Sequence, residues 1–351
     1  MSDFYSLSID KISRLTPNSV AVSFCIPEEL QGEFAFEAGQ YITIKHHVNG
    51  EEIRRSYSIS SSPKDKQITV GIKKVPEGRF SVYANSSLNE GDQLELMAPE
   101  GRFVYKPSVN PENICAFAAG SGITPIMSIA KAVLDGHPEN TFVLVYGNQN
   151  KPETMFYDEI LELANTYKDR FTVQFVYSRA HEDDSLFGRI DASVINFILK
   201  KKCKDISFKT FYLCGPEDMI TLTTELLKTN GVSEDSIYFE LFTSSENEDE
   251  DSKNISLEGK TELEVVLDDE VHSLIMDKNT TVLDAVLDED IDAPYSCQGG
   301  VCSTCIAKVT EGEAKMDKNQ ILTDSEIAEG LILTCQAHPV TATLKIDYDD
   351  V

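Results

Sequence analysis

The 351-residue sequence lacks several features that would assign it to other classes of protein. No uninterrupted apolar run approaches the roughly 18 residues needed to cross a bilayer. The opening stretch MSDFYSLSIDKISRL carries acidic residues among its apolar positions and has no apolar core of a secretory signal. Basic residues are also scarce, with 31 Lys and Arg against 59 Asp and Glu. These absences predict a soluble cytoplasmic protein with no membrane insertion.

The charge balance bears on the kind of partner. A formal net charge of −28 argues against nucleic acid, because phosphates demand a basic surface. Residues 246–351 contain 26 acidic and 7 basic residues, a net charge of −19, which leaves −9 for the first 245 residues. The acidic C-terminal part either serves solubility or forms a docking surface for a basic partner.

The length favours two or three domains over one core. Short alternating stretches with Gly, Pro and Asn turns predict an antiparallel β-barrel or sandwich over residues 1–106. Alternating strand-like and helix-like segments predict an α/β domain with a parallel sheet over 107–240. The acidic stretch 241–260, LFTSSENEDEDSKNISLEGK, has almost nothing to bury and predicts a linker. Residues 261–351 predict a small α+β domain of β-grasp type.

A glycine turn follows the strand-like stretch NICAFAAG and precedes a helix-like one. Gly120 and Gly122 would let a pyrophosphate approach backbone N–H groups at the positive end of the helix. We expect Thr124 to be the N-cap and Pro125 the first helical residue, where its missing N–H costs nothing. An ordinary tight turn between a strand and a helix is the alternative interpretation.

A second turn of this kind contains Cys214, Gly215 and Pro216. Cys214 is predicted to lie at the carboxyl end of a parallel strand, where such sheets bind their ligands. A lone cysteine at that place is otherwise a small buried hydrophobic residue.

In the N-terminal domain, RRSYSIS places a cation, an aromatic ring and hydroxyl groups on one short strand. Such a set could hold a flavin, with the ring stacking and Arg55 meeting a phosphate. The stretch Gly78-Arg79-Phe80-Ser81 could add phosphate contacts where a loop enters a helix. A polar exposed strand has the same composition, so the alternative stays open at this point.

Together these motifs carry a family resemblance. In order and spacing RSYS, GIKKV with GRFS, GSGITP, CGP and YFELF resemble the ferredoxin-NADP reductase superfamily, whose FAD-binding barrel precedes a nicotinamide-binding domain. The stretch PYSCQGGVCSTCIAK with the later LILTCQAHP resembles a plant-type 2Fe-2S ferredoxin. The order FAD, NAD(P), ferredoxin is that of the reductase components of oxygenases. Within them VPEGRFS, YSRAHED and GRID are most similar to the reductase subunits of phenylacetyl-CoA epoxidase complexes, which act in phenylacetate catabolism.

The resemblance implies roles for particular residues. It implies FAD contacts from Arg55, Tyr57, Ser58, Gly71, Lys73, Arg79, Phe80 and Ser81, and a weaker match near the flavin for Glu240 and Phe242. It implies a nicotinamide nucleotide channel lined by Gly120, Gly122, Thr124, Pro125, Gly215 and Pro216. Ser58 and Cys214 are the implied catalytic residues, with Cys214 beside the nicotinamide ring.

The pair Ser178 and Arg179 matches the place where NADPH-using members of the superfamily bind the 2′-phosphate. Arginine suits that dianion. The acidic residues 182–184 follow closely and oppose it. NADPH is therefore predicted as the nucleotide, with NADH as the alternative. In the structural interpretation Arg179 is an ordinary solvated surface arginine that binds no nucleotide.

Four chemistries compete for the cysteine-rich loop: zinc, a thiol–disulfide switch, a disulfide staple and an iron–sulfur cluster. A cytoplasmic setting argues against a staple. A four-cysteine zinc site usually presents two C-x-x-C knuckles, and Cys335 has no such neighbour. A switch would place C-x-x-C at a helix start, whereas Cys305 runs into the strand-like CIAKV. Three thiolates from one loop, Cys297, Cys302 and Cys305, with a distant fourth match the plant-type 2Fe-2S spacing.

These expectations combine into an NAD(P)H-dependent oxidoreductase. We predict hydride transfer to FAD, two successive one-electron transfers to the 2Fe-2S cluster, and delivery to a separate oxygenase or hydroxylase. The oxygen chemistry is assigned to that partner because the six histidines are scattered and no E-x-x-H helix pair occurs. The alternatives are a reductase for a ring-hydroxylating oxygenase, a steroid hydroxylase or a desaturase and, from another class, a non-enzymatic redox or metal-binding interaction protein.

Overall fold

The computed structural model describes residues 4–48, 50–241 and 259–351, and the structural statements below concern these residues. They group into two compact units. The first unit contains two six-stranded sheets apart from residues 54–56 of one strand, and these three residues group with the second unit, which contains a five-stranded and a two-stranded sheet.

The first sheet is antiparallel, as predicted. Its strands are β1 Tyr5–Thr16, β2 Ser19–Cys25, β3 Tyr41–Val48, β4 Glu51–Ser58, β5 Gln67–Lys73 and β6 Gln93–Leu96, in the spatial order β4-β3-β6-β1-β2-β5. A bridge between Ile59 and Val70 joins the segment after β4 to β5, and so connects the two ends of that order. Helix α1, Arg79–Ser86, follows β5. Alternating apolar residues of the strands, such as Val20, Val22 and Phe24 on β2, are buried together in one hydrophobic core.

The second sheet is parallel. Its strands are β7 Asn113–Ala119, β8 Thr141–Asn148, β9 Phe171–Tyr177, β10 Leu186–Phe187, β11 Thr210–Gly215 and β12 Ile237–Leu241, in the order β10-β9-β8-β7-β11-β12. The helices between them are α2 Ile123–Leu134, α3 Tyr157–Thr166, α4 Ala192–Phe197 and α5 Glu217–Thr229. Successive β7 residues alternate between two cores, with Ala116 packing on the side of α2 and Phe117 on the side of α5. The predicted α/β domain with a flanked parallel sheet is therefore confirmed.

Helix α4 begins at a side-chain cap, Asp191, that was not predicted from the sequence. The carboxylate of Asp191 accepts hydrogen bonds from the backbone N–H groups of Ser193 and Val194 at 3.0 and 2.9 Å. These bonds, that of Val194 foremost, lower the pKa of Asp191. Asp191 is the last residue of the GRID stretch, one of the points of family similarity, and the structure shows it to be an N-cap.

The second unit has the predicted α+β composition. Strands β13 Lys260–Leu267, β14 Glu270–Asp277, β15 Ile306–Glu311, β17 Leu331–Leu333 and β19 Thr343–Asp347 form a mixed sheet in the order β14-β13-β19-β15-β17, and β16 Ala314–Met316 pairs with β18 Ala337–Pro339. The helices are α6 Val282–Asp288 and α7 Asp324–Ala328. Thr281 caps α6 by accepting from the N–H of Asp284. The buried residues of α6 share one core with those of β13 and β19.

The predicted linker, residues 241–260, lies almost entirely outside the described residues. Strand β12 ends at Leu241 and β13 begins at Lys260. Phe242, one of the predicted site residues, also lies outside the described residues. Among the helices described, we find none with the length and apolar character needed to cross a membrane.

Candidate flavin, nucleotide and iron-sulfur sites

The parallel sheet reverses its strand order between β7 and β11. The chain runs from β7 to β8 on one side and later reaches β11 on the other side of β7. Ligands of such sheets bind outside the carboxyl ends of the strands at this reversal. The turn Gly120–Gly122 follows β7 there, and Gly215 ends β11 beside it. The two glycine turns predicted from the sequence thus meet at the place where a nucleotide is expected.

The contact between these turns leaves no room for a side chain. A Cβ on Gly122 would lie 2.3 Å from the carbonyl oxygen of Cys214. Gly120 has φ +56°, in the left-handed region, and its carbonyl accepts a 2.9 Å hydrogen bond from the hydroxyl of Tyr146. A Cβ on Gly120 would lie 3.7 Å from Nζ of Lys73, which brings that cation from the first sheet to the turn. The turn Gly120–Gly122 therefore lies against the end of β11 and has the positive charge of Lys73 beside it.

Two details of the predicted helix start were wrong. Gly122, not Thr124, is the N-cap of α2, and Pro125 is the third helical residue instead of the first. The 3-10 turn at Gly120–Gly122 leads directly into the helix, so the helix begins two residues earlier than expected. The hydroxyl of Thr124 donates to the carbonyl of Ser121 at 3.0 Å, and the side chains of Thr124 and Pro125 are buried. Pro125 is still tolerated because the first-turn N–H groups have no helical partner.

Ser58 and Glu240 form a buried polar pair near this edge of the sheet. The Ser58 hydroxyl at the end of β4 donates to Oε2 of Glu240 at 3.2 Å, although 182 residues separate them. Glu240 on β12 lies opposite Cys214 on β11. Burial is the main cause that raises the pKa of Cys214, and the negative charge of the Glu240 carboxylate adds to it. The thiol is therefore neutral at physiological pH. Three residues predicted separately from the sequence are thus brought together, and the Cys214 side chain is fully buried.

Gly71 packs against the nucleotide-binding half of the unit. A Cβ at this position on β5 would lie 2.7 Å from Cγ2 of Thr124 and 3.0 Å from both Met155 and Phe156. The absence of a side chain therefore lets α2 approach the first sheet. This is a packing requirement that the sequence pattern did not indicate.

Aromatic rings cluster where the flavin residues were predicted. Tyr57 lies 5.7 Å from Phe80, centroid to centroid, and Phe80 lies 6.2 Å from Tyr83. His46 stacks on Tyr83 at 4.7 Å, and burial lowers its pKa, so the ring is neutral near pH 7. Tyr57 is half-buried, while Phe80 is 2% exposed and supports the cluster from below.

The cations of this region lie at the start of α1 and on β4. Arg79 is the exposed first residue of α1, and one of its guanidinium nitrogens lies 3.4 Å from the carbonyl of Val48. The Ser81 hydroxyl accepts from the N–H of Val75 at 3.1 Å and so closes the loop that precedes the helix. Arg55 is half-buried on β4 and donates to the carbonyl of Arg54 at 2.7 Å. An anion at the start of α1 would meet the positive helix end with Arg79 beside it.

Ser178 and Arg179 follow β9 on the same edge of the parallel sheet. The backbone N–H groups of Ser178 and Arg179 donate to the carbonyls of Asn148 and Gln149, which extends the pairing of β8 and β9. The Arg179 side chain is exposed. Pro216, the remaining predicted residue of the channel, is the exposed N-cap of α5.

In the second unit the four cysteines of the predicted cluster meet two by two. Cys302 lies close enough to Cys297 to lower the pKa of the Cys297 thiol, and Cys335 lies close enough to Cys305 to raise the pKa of the Cys305 thiol. All four are free of disulfides. Over the described ranges, no three or more His, Cys, Asp or Glu side chains are grouped to hold one metal ion. Two pairs of thiols suit a two-iron cluster bound by four cysteines.

The loop around Cys297 points backbone N–H groups at its sulfur. The N–H of Gly299 lies 3.4 Å from the sulfur, and Val301 adds a second backbone donor. The neighbouring Cys302 thiol, aided by these amides, lowers the pKa of Cys297 to about 7. The neighbouring Cys297 thiol and burial raise the pKa of Cys302. N–H groups directed at a ligand sulfur are the usual means of stabilising a reduced cluster.

Comparison with known proteins decides the family. The oxidoreductase FAD-binding domain profile matches residues 6–105, the oxidoreductase NAD-binding domain profile 117–225, and the 2Fe-2S iron-sulfur cluster binding domain profile 265–340. One subunit of the 1,2-phenylacetyl-CoA epoxidase from Escherichia coli (strain K12) is 35% identical over 99% of both chains. The chain belongs to this family of oxygenase reductase components.

A second relative and two solved structures extend the comparison. The ferredoxin reductase component of 3-ketosteroid-9-alpha-monooxygenase from Rhodococcus rhodochrous is 32% identical, over 97% of this chain and 96% of that protein. The structure of phthalate dioxygenase reductase matches 98% of both chains with a TM-score of 0.60 and 23% identity. An intact type IV self-sufficient cytochrome P450 monooxygenase matches 98% of this reductase and 41% of its own chain, with a TM-score of 0.70 and 20% identity. The two structures share the fold.

The reductase is therefore an oxidoreductase with binding domains for FAD, a pyridine nucleotide and a 2Fe-2S cluster. The capping role of Asp191, the packing role of Gly71 and the aromatic partner His46 were not among the predictions from the sequence. Only Asp191 had a readable signal, an aspartate directly before an apolar helical stretch. The other two depend on contacts between segments far apart in the chain.

Proposed function

We propose that this reductase takes electrons from NADPH and delivers them to a separate oxygenase of the phenylacetyl-CoA epoxidase type. The carrying observation is the full-length similarity to the Escherichia coli epoxidase protein, 35% identity over 99% of both chains. The steroid monooxygenase reductase, at 32% identity, supplies the competing assignment. A bound FAD supplies the conversion between the two-electron chemistry of a nicotinamide and the one-electron chemistry of an iron–sulfur cluster.

The residues of the two nucleotide-binding domains would divide the binding of FAD and the nicotinamide nucleotide. We assign the FAD phosphates to Arg55, Arg79 and the start of α1, and the ring to Tyr57 and Ser58. The nicotinamide nucleotide would meet the turn at Gly120–Gly122. The meeting of the two glycine turns and the Ser58–Glu240 pair at one sheet edge supports this assignment.

Ser58 and Cys214 would lie on either side of the reacting rings. The Ser58 hydroxyl is oriented by Glu240, and the neutral thiol of Cys214 presents no charge to an approaching hydride donor. Because Cys214 is fully buried, its contribution would be to shape the end of the pocket.

The four paired cysteines, Cys297, Cys302, Cys305 and Cys335, would hold the cluster. Their pairing in two sets of two supports this assignment, as does the 2Fe-2S profile that spans them. Thiolate ligands must stay reduced until the cluster is inserted. We therefore propose the cytoplasm as the compartment of this reductase.

The partner can be tested by reconstitution. The purified reductase, carrying flavin and iron, is mixed with the oxygenase subunits of phenylacetyl-CoA epoxidase, and NADPH consumption is followed. Consumption should rise when phenylacetyl-CoA is added, because the acceptor then turns over. Reduction of ferricyanide, which needs no oxygenase, is the control for an active reductase. Coupling to the steroid monooxygenase instead would contradict the epoxidase assignment.

The nucleotide preference depends on Arg179. Its exposed guanidinium follows β9, and the acidic residues 182–184 lie next to it in the chain. Arg179→Gln should raise the KM for NADPH about tenfold, roughly the 1–2 kcal/mol of a charge-assisted contact, and leave the KM for NADH unchanged. Arg189→Gln, in the same region, is the matched control. Equal effects of Arg179→Gln on both nucleotides would show that Arg179 does not bind the 2′-phosphate and would contradict this basis for the NADPH assignment.

A further inference from the structure

Near the predicted cluster, a chain of hydroxyl groups links the last strand to two of the paired cysteines. The phenol of Tyr348, directly after β19, donates to Oγ1 of Thr334 at 2.9 Å. The Thr334 hydroxyl donates in turn to the backbone carbonyl of Cys305 at 3.0 Å. Thr334 immediately precedes Cys335 in the chain. The network therefore joins the segments that carry Cys305 and Cys335.

The network is buried along its whole length. Tyr348 is 6% exposed and Thr334 is 0% exposed. Burial raises the pKa of Tyr348, so the phenol keeps the proton that it donates. A buried polar group without a partner is costly, so each hydroxyl is fixed in its direction by the next acceptor.

Each member is also fixed by its backbone. The N–H of Thr334 donates to the same carbonyl of Cys305 at 3.0 Å, and its own carbonyl accepts from Leu283 of α6 at 3.0 Å. The N–H of Tyr348 donates to Val266 of β13 at 3.0 Å. The hydroxyl network thus extends from the end of β19, which pairs with β13, to the segment that carries Cys305.

We propose that Tyr348 is a positioning residue for the 2Fe-2S cluster: acting through Thr334, it sets the relative position of the Cys305 and Cys335 segments and the electrostatic field at their sulfurs. This inference depends on the proposed cluster ligands. Both hydroxyl groups direct their hydrogen atoms toward Cys305, since Tyr348 donates to Thr334 and Thr334 donates to the carbonyl of Cys305. A positive dipole end near the ligands favours the more negative, reduced state of a cluster.

The test compares Tyr348→Phe with the wild-type holoprotein. The substitution keeps the aromatic ring in the core and removes only the phenolic hydroxyl group, so the fold should be retained. We expect the midpoint potential of the cluster to become more negative and the rate of iron loss to a chelator to increase about fivefold to tenfold, since one buried hydrogen bond is lost. In protein freed of iron and reduced, alkylation of Cys305 and Cys335 should become faster by a similar factor.

The matching substitutions at Thr334 test whether the two hydroxyls act together. Thr334→Ser keeps the hydroxyl and should behave like wild type, whereas Thr334→Val should reproduce the effects of Tyr348→Phe. The double variant Tyr348→Phe/Thr334→Val should show no further loss beyond Thr334→Val. Thr310→Val on β15, an exposed threonine of the same sheet, is the control.

The outcomes separate this inference from the proposed function. A wild-type protein that binds no iron would refute the cluster assignment itself. A normal wild-type cluster with an unchanged potential and iron-loss rate in Tyr348→Phe would refute only the role of Tyr348. Purely additive effects of the two substitutions would show that they act independently, against the proposed network. If Thr334→Val fails to fold, Tyr348→Phe and Thr334→Ser still decide.

Discussion

Replacing Gly122 with alanine would place a methyl group against the backbone of β11. The Cβ would lie 2.3 Å from the carbonyl oxygen of Cys214, 2.5 Å from its carbonyl carbon and 2.9 Å from the N of Gly215. All three atoms belong to the backbone, so no side chain can turn aside to make room. The turn after β7 and the turn after β11, which meet where the strand order reverses, would have to move apart.

The size of this separation sets the expected effect. An ordinary contact of about 3.5 Å requires a shift of roughly 1 Å from the present position. Overpacking of this kind costs about 1–3 kcal/mol of unfolding free energy. A displacement of roughly 1 Å in groups that orient a substrate can reduce the rate about 100-fold. Gly122→Ala should therefore lower the kcat/KM for NADPH by about 10- to 100-fold.

The assay follows flavin reduction by NADPH after rapid mixing, together with the melting temperature and the flavin content. Gly32→Ala is the matched control, because a Cβ there has nothing within 4 Å. We expect the control to retain wild-type rates and to lie within about 0.5 kcal/mol of wild-type stability. Wild-type kinetics and stability in Gly122→Ala would refute the argument that the turns need this glycine.

Two further predictions concern single side chains. Asp191→Ala should lower the free energy of unfolding by about 1 kcal/mol, and Asp191→Asn by less, in urea titrations at pH 7. Hydrogen bonds, chiefly from Val194, lower the pKa of Asp191 below 3.8. The contribution of Asp191 to the free energy of unfolding is therefore complete above that pH and is lost as the pH falls through the pKa of the folded state. A difference in stability between wild type and Asp191→Ala that persisted at the lowest pH would contradict this. In the cysteine loop, Gly300→Ala should reduce the iron content, because φ is +70° and the Cβ would lie 2.9 Å from the carbonyl of Lys318. Gly299→Ala, whose nearest contact is at 3.8 Å, should load normally, and equal loading of both variants would count against the argument.

The sequence indicated the order of elements well because local patterns carry that information. The stretches that form β7, β8 and β11 are continuous apolar runs, as strands buried on both faces require. The boundaries of α2 were less accurate. The Thr124 cap was a reasonable local expectation, but the preceding 3-10 turn continues into the helix and makes Gly122 the cap.

The candidate sites show the same division. The spacing of the four cysteines is a property of the chain, and it predicted one group of thiols. That Cys335 comes close to Cys305, 30 residues before it in the chain, depends on the antiparallel pairing of β15 and β17, which brings Ile306 opposite Leu333. The Ser58–Glu240 hydrogen bond spans 182 residues and has no sequence signal at all.

The sequence by itself determined three binding functions, since glycine turns, cysteine spacing and strand periodicity are local and survive any arrangement of the rest of the chain. Only the tertiary structure decided which of these residues touch. The reversal of strand order between β7 and β11 places the carbonyl of Cys214 against Gly122 and so makes this glycine indispensable. The antiparallel pairing of β15 with β17 likewise brings Thr334 to Cys305, because hydrogen bonding and packing between distant segments fix positions that no local pattern encodes.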